Sequence, residues 1–157
     1  MNLNDNPRGG TFCLSKAGLK IGDGSALGFG TAAPNGAGVD YCIKGILYHH
    51  ADSATDEPLD AASAQGLLTT CLYAITFDAG ENFASVQGTP VLTADLVSGV
   101  KALEWPQPAD GFCVIGYIKI ETRLTYNFTP GTTALSATGV YDTYYDVCTA
   151  PVENLSA

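Results

Sequence analysis

The sequence predicts a mainly β protein: a compact antiparallel β-sandwich or barrel with one short helix and an extended N-terminal arm. Three observations lead there. From Val114 the even positions Val114, Gly116, Ile118, Ile120, Thr122, Leu124, Tyr126 and Phe128 alternate with Lys119, Glu121 and Arg123, the period of two of a strand with one buried face. Eighteen Gly, eight Tyr and only 15% charged residues suit a sheet with many turns, whereas a helical bundle would carry more Lys, Glu and Leu. Clusters of Gly, Pro, Asn and Asp cut the chain into short apolar runs. With 157 residues, 46% of them apolar, one core is expected.

Taken in order, residues 1–38 are rich in Gly, Ala and Asn, with Asn6-Pro7-Arg8-Gly9-Gly10 and Ala33-Pro34-Asn35-Gly36 around short pieces such as Phe12-Cys13-Leu14. Such a stretch buries little surface alone, so it is expected to be an arm that orders against a neighbour. The β body, 39–157, opens with a strand over Val39–His50, followed by an acidic surface loop with a short helical turn over Ala51–Gln65. Leu68–Phe77, Asp78–Asn82 and Phe83–Thr89 read as strand, turn and strand of a hairpin. Thr93 is placed to cap a helix carrying Leu96, Val97, Val100 and Leu103 on one stripe, which Pro106 stops by Trp105. The alternation from Val114 is too long for one strand, so a bulge or turn is expected near Glu121–Arg123. Pro130-Gly131 suits the centre of a type II turn, and the chain returns through Tyr141, Thr143, Tyr145 and Val147.

Charge bounds the partners. The net charge is −9, which argues against nucleic acid, whose binding rests on clustered Lys and Arg. Residues 1–22 hold Arg8, Lys16 and Lys20 against Asp5, a net +2, leaving 4 basic and 15 acidic residues, a net −11, for the remainder. No apolar stretch approaches a membrane span and the amino terminus has no apolar leader, so a soluble, unprocessed chain without a membrane partner is expected. The five cysteines, Cys13, Cys42, Cys71, Cys113 and Cys148, are widely spaced and lack a C-x-x-C pair; buried, reduced thiols are expected.

Motifs that could carry chemistry are thin. The Gly22–Gly30 run lacks the flanking strand and helix of a phosphate loop. His49 and His50 are adjacent, and adjacent strand residues point to opposite faces, so they do not readily share a metal; Asp56, Glu57 and Asp60 lack the spacing of a calcium loop. There is no G-x-S-x-G elbow and no catalytic Cys signature. No enzyme, cofactor or metal is expected. Trp105, the sole Trp, lies in Trp105-Pro106-Gln107-Pro108 and is either a core plug, the reading favoured here, or an interface anchor.

Residues 40–150 resemble the small head decoration (cement) proteins of tailed bacteriophages. The resemblance rests on Ile115-Gly116-Tyr117-Ile118, on Phe128-Thr129-Pro130-Gly131-Thr132-Thr133 and on Thr138-Gly139-Val140-Tyr141-Asp142-Thr143-Tyr144-Tyr145-Asp146. Tyr41–Gly45, Cys71-Leu72-Tyr73 and Trp105–Pro108 extend it. It implies a virion protein made in the host cytoplasm that binds the major capsid protein on the outer capsid surface as a homotrimer and stabilises the expanded shell. A host-binding tail-fibre or adhesin domain is the alternative. The residues expected at the capsid or subunit interface are Leu3, Arg8, Phe12, Leu14, Lys16, Leu19, Lys20 and Ile21 of the arm, together with Trp105.

Overall fold

The computed structural model describes residues 10–24, 26–53 and 56–148. Its strands are β1 (Phe12–Cys13), β2 (Leu19–Ile21), β3 (Gly28–Thr31), β4 (Val39–Ile43), β5 (Ile46–His50), β6 (Glu57–Pro58), β7 (Thr69–Phe77), β8 (Phe83–Gln87), β9 (Val91–Leu92), β10 (Cys113–Thr122) and β11 (Val140–Asp146), with one helix, α1 (Thr93–Val97). All pairings are antiparallel. The main sheet runs β11-β10-β7-β8, with β9 also on β7, and two small sheets, β1-β4-β5 and β2-β3-β6, complete an open, sandwich-like body that is not a closed barrel.

The core lies between the main sheet and the small ones. β7 supplies Cys71, Tyr73, Ile75 and Phe77, and β10 supplies Cys113, Ile118 and Ile120, all at most 1% exposed. These face Tyr41 and Val39 of β4 and Phe29 of β3. Tyr41 stacks on Phe77 at 5.0 Å between ring centroids, and Phe83 contacts Phe77 at 4.4 Å. Burying aromatics of this size contributes the largest share of the hydrophobic stabilisation. The expected alternation holds from Gly116 to Thr122, whereas before it Cys113 and Ile115, not Val114, are buried; beyond Thr122, Leu124 and Tyr126 stand exposed. The strand ends at Thr122, near the expected turn, while the bulge lies earlier, between Val114 and Gly116.

Three elements differ from expectation, each for a local reason. Val39–His50 is two strands, because Lys44 (φ 51°) and Gly45 (φ 85°) form a two-residue turn with both residues left-handed, the geometry that matches strand twist in a hairpin. The helix is short: Thr93 is its first residue and spends its hydroxyl on Thr70 Oγ1 at 2.9 Å instead of capping, and Gly99 (φ 74°) closes it. Val97 and Val100 are therefore exposed, and the expected stripe is not buried. Between 51 and 65 the described residues contain β6 and no helical turn.

Residues 10–38 find their partner within the chain. β1 pairs with β4, β2 and β3 pair with each other, and Cys13, Ala17, Leu19 and Phe29 belong to the core. Gly116 shows how tightly β2 docks: a methyl group there would run into Leu19 Cδ1 and Tyr145 O. The Pro130-Gly131 turn is as expected, with Thr132 N donating to Thr129 O at 3.1 Å and Gly131 at φ 72°.

A buried polar knot joins the loops to the main sheet. Gln65, fully buried, donates through Nε2 to Thr69 O and Ile120 O, both at 3.0 Å, and accepts from Tyr73 OH at 3.2 Å. Its backbone N–H and C=O both bond Phe128. Gln65→Ala would strand two buried carbonyls and open a cavity, so a loss of roughly 2–4 kcal/mol is expected. Urea unfolding should show a lower midpoint with an unchanged slope.

Candidate functional site

The most distinctive surface is an apolar band that crosses the sandwich, and it starts on β1-β4-β5. Phe12, Cys42 and Leu47 are register partners and share the outer face, while Cys13, Tyr41 and Tyr48 share the inner one. Leu47 is 68% exposed and Phe12 37%, with exposed Leu14 beside them. Next comes an open groove of about 370 Å³, as polar as it is apolar, where Thr11, Gln107 and Asp110 stand among Phe12, Phe112 and Val147. The groove leads to the outer face of the main sheet, where Tyr117 and Tyr145 are register partners and Trp105 stands edge-on to Tyr117 at 4.7 Å. Exposed large apolar side chains gathered in this way mark interaction sites.

Trp105 is 57% exposed, which overturns the core-plug reading. The plug is its neighbour. Pro106 is buried against the end of β8, so close that a methyl group on Gly88 would lie 3.1 Å from Pro106 Cγ. Seating the rigid ring there turns Trp105 outward onto Tyr117, where an aromatic exposes one face and packs the other.

Few charges border the band. Lys44 meets Asp110 at 3.3 Å on the groove rim, and Arg123 bonds Glu121 at 3.2 Å while lying over the Tyr141 ring at 5.0 Å. Exposed pairs of this type contribute at most about 1 kcal/mol each.

Of the interface candidates, Phe12, Leu14 and Trp105 are exposed on or beside the band. Leu19 is in the core and its amide donates to Asp146 Oδ1 at 3.0 Å, so it is not a contact residue. Ile21 packs partly buried against that core, Lys20 bonds Asp23 at 2.7 Å, and Lys16 is exposed. Leu3 and Arg8 lie outside the described residues. Leu47 was hidden by phase: in one continuous strand it would share the buried face of Val39, Tyr41 and Ile43. The two-residue turn instead places it opposite Cys42, on the outer face. Gly45 was the available signal.

The remaining motifs resolve into structural roles. His49 Nδ1 meets Asp40 Oδ1 at 2.8 Å, whereas the His50 ring stacks on Phe77 at 4.4 Å, so the two histidines face opposite ways as their adjacency demands. Among the described residues, no group of three or more His, Cys, Asp or Glu is placed to hold a metal, and no helix is long and apolar enough to cross a membrane. Within the Gly22–Gly30 run, Gly24 N donates to the Asp56 carboxylate at 3.3 Å. An anion there would meet a carboxylate. Compared with family models, curated proteins and solved structures, the chain matches none.

Cys13, Cys42, Cys71 and Cys113 are buried and Cys148 half-buried. Burial pushes Cys13 up to about 12 and Cys71 and Cys113 up to about 11. A buried thiol whose pKa is raised favours the folded state fully below its unfolded pKa near 9, and this contribution is lost as pH rises toward 11–12. Melting temperature should accordingly fall across that alkaline window. At neutral pH a thiol reagent should titrate one group, Cys148, in the native protein and the other four only on unfolding. Trp105→Ala should cost less than about 1 kcal/mol in thermal melting, well below the cost of removing a buried aromatic, while weakening association.

Proposed function

We propose that this protein is a virion structural protein that binds the outer surface of a tailed-phage capsid as an oligomer, a trimer on the strength of the family resemblance, and stabilises the expanded shell. The observation that carries this reading is the exposed band from Leu47 and Phe12 to Trp105, an adhesive surface that a lone chain leaves in water. The resemblance supports it through the Ile115–Ile118, Phe128–Thr133 and Thr138–Asp146 segments. Binding only the expanded lattice would stabilise that state by mass action.

The arm mechanism changes with the fold. Residues 12–21 hold β1 and β2, so deleting residues 2–22 would damage the body, and point changes on the band make the sharper test. Intact protein should cosediment with expanded capsids that lack it and bind unexpanded shells poorly. Phe12→Ser with Leu47→Ser should reduce cosedimentation at least tenfold while shifting thermal melting little. No binding by the intact protein to expanded capsids would reject this reading.

A second reading, a host-binding adhesin domain, is favoured by one feature. Trp105, Tyr117 and Tyr145 form an exposed aromatic cluster of the kind on which sugar rings stack. Trp105-dependent binding to host envelope glycan, with none to capsids, would establish it.

A further inference from the structure

Each sheet edge is a row of backbone donors and acceptors that is sealed, covered or left free. The β8 edge is sealed: Asp60 accepts from Ser85 N at 2.6 Å, Ser85 Oγ accepts from Asp60 N at 2.7 Å, and Gln87 Nε2 donates to Ser63 O at 2.8 Å. Among the described residues the far edge of β11 has no such clasp. Val147 N donates to Ile115 O and Arg123 N to Gly139 O, which fixes the phase of the β10–β11 ladder. In an antiparallel ladder the intervening residues point their backbone groups the other way. The N–H and C=O of Asp142 and Tyr144 thus face outward, with no partner among the described residues. β2 approaches this strand at its far end, through Leu19 N on Asp146 Oδ1.

β5 presents another such edge among the described residues. Leu14 N donates to Asp40 O, so even residues of β4 bond β1 and odd ones bond β5. It follows that Ile46, Tyr48 and His50 are tied to β4, while the backbone groups of Leu47 and His49 face outward. The two free edges lie on opposite flanks: β1 packs over β10, next to β11, whereas His50 of β5 rests on Phe77 of β7 and Phe83 of β8. They also differ in charge. Residues 44–50 carry Lys44, His49 and His50 and no acid, while residues 140–146 carry Asp142 and Asp146 and no base.

We propose that copies of this chain join head to tail by sheet extension, the free edge of β5 in one copy pairing antiparallel with the free edge of β11 in the next, and so close into a ring. The alternation allows a register in which Leu47 lies opposite Tyr144 and His49 opposite Asp142, satisfying the four outward N–H and C=O groups on each strand. That register also sets Lys44 near Asp146. A contact between two different surfaces forms rings or filaments, unlike a two-fold contact of β11 with itself. The inference adds the subunit contact to the oligomer proposed above but stands without any capsid.

The test uses complementary edge blocks. Leu47→Pro removes only an outward N–H and disables the β5 edge; Asp142→Pro does the same to β11. Leu47→Lys and Asp142→Lys, which leave the backbone unaltered, form a second pair should either proline variant melt early. Light scattering after size exclusion should give a multiple of 16.3 kDa for the parent chain, a monomer for each variant alone, and a dimer for their one-to-one mixture, since each retains the edge its partner lacks. A monomeric parent chain at tens of micromolar, a Leu47 variant of full parental mass, or a mixture that stays monomeric would overturn the inference. A ring that ignores capsids would leave it standing and remove only the capsid reading.

Discussion

The structure depends on β7 being buried on both faces while paired with β10. Tyr73, Ile75 and Phe77 face the core, and Leu72, Ala74 and Thr76 on the other side are also buried. A strand with no wet face requires a cover on each side. The small sheets provide one cover, and the stretch from Thr93 to Phe112 provides part of the other. The Gln65 knot ties the arrangement together, because one amide bridges the starting end of β7 and the finishing end of β10.

That requirement explains where the exposed apolar surface falls. The covering stretch is held at a few points: Thr93 on Thr70, Pro106 against Gly88, and Trp105 on Tyr117. It is too thin to hide the sheet completely. β11, beyond its reach, keeps Tyr141 and Tyr145 in water, and the gap between the cover and β1 becomes the groove. The apolar band is thus what remains when a small domain has more sheet than covering chain, in line with the limited surface that short chains bury.

The small sheets play two parts. Their inner residues, Cys13, Leu19, Phe29 and Tyr41, complete the core, and their outer residues, Phe12 and Leu47, supply one end of the band. A stretch rich in Gly can do this because Gly allows close approach, as at Gly28 against the backbone of Glu57.

The sequence by itself determined the β class, the hairpin of β7 and β8, the alternation of β10, the Pro130-Gly131 turn and the opposed histidines. Each is set by neighbours within a few residues, through a side-chain period of two or a fixed φ. Tertiary structure alone decided the rest. Whether Phe12-Cys13-Leu14 and Leu19-Lys20-Ile21 serve as arm or body depends on pairing with strands distant in the chain. Whether Trp105 or Pro106 is the buried residue depends on which fits against Gly88, and composition is blind to that. Leu47 turned from core to surface because two left-handed residues, Lys44 and Gly45, reversed the chain. In a strand, a reversal of that kind moves every later side chain to the opposite face.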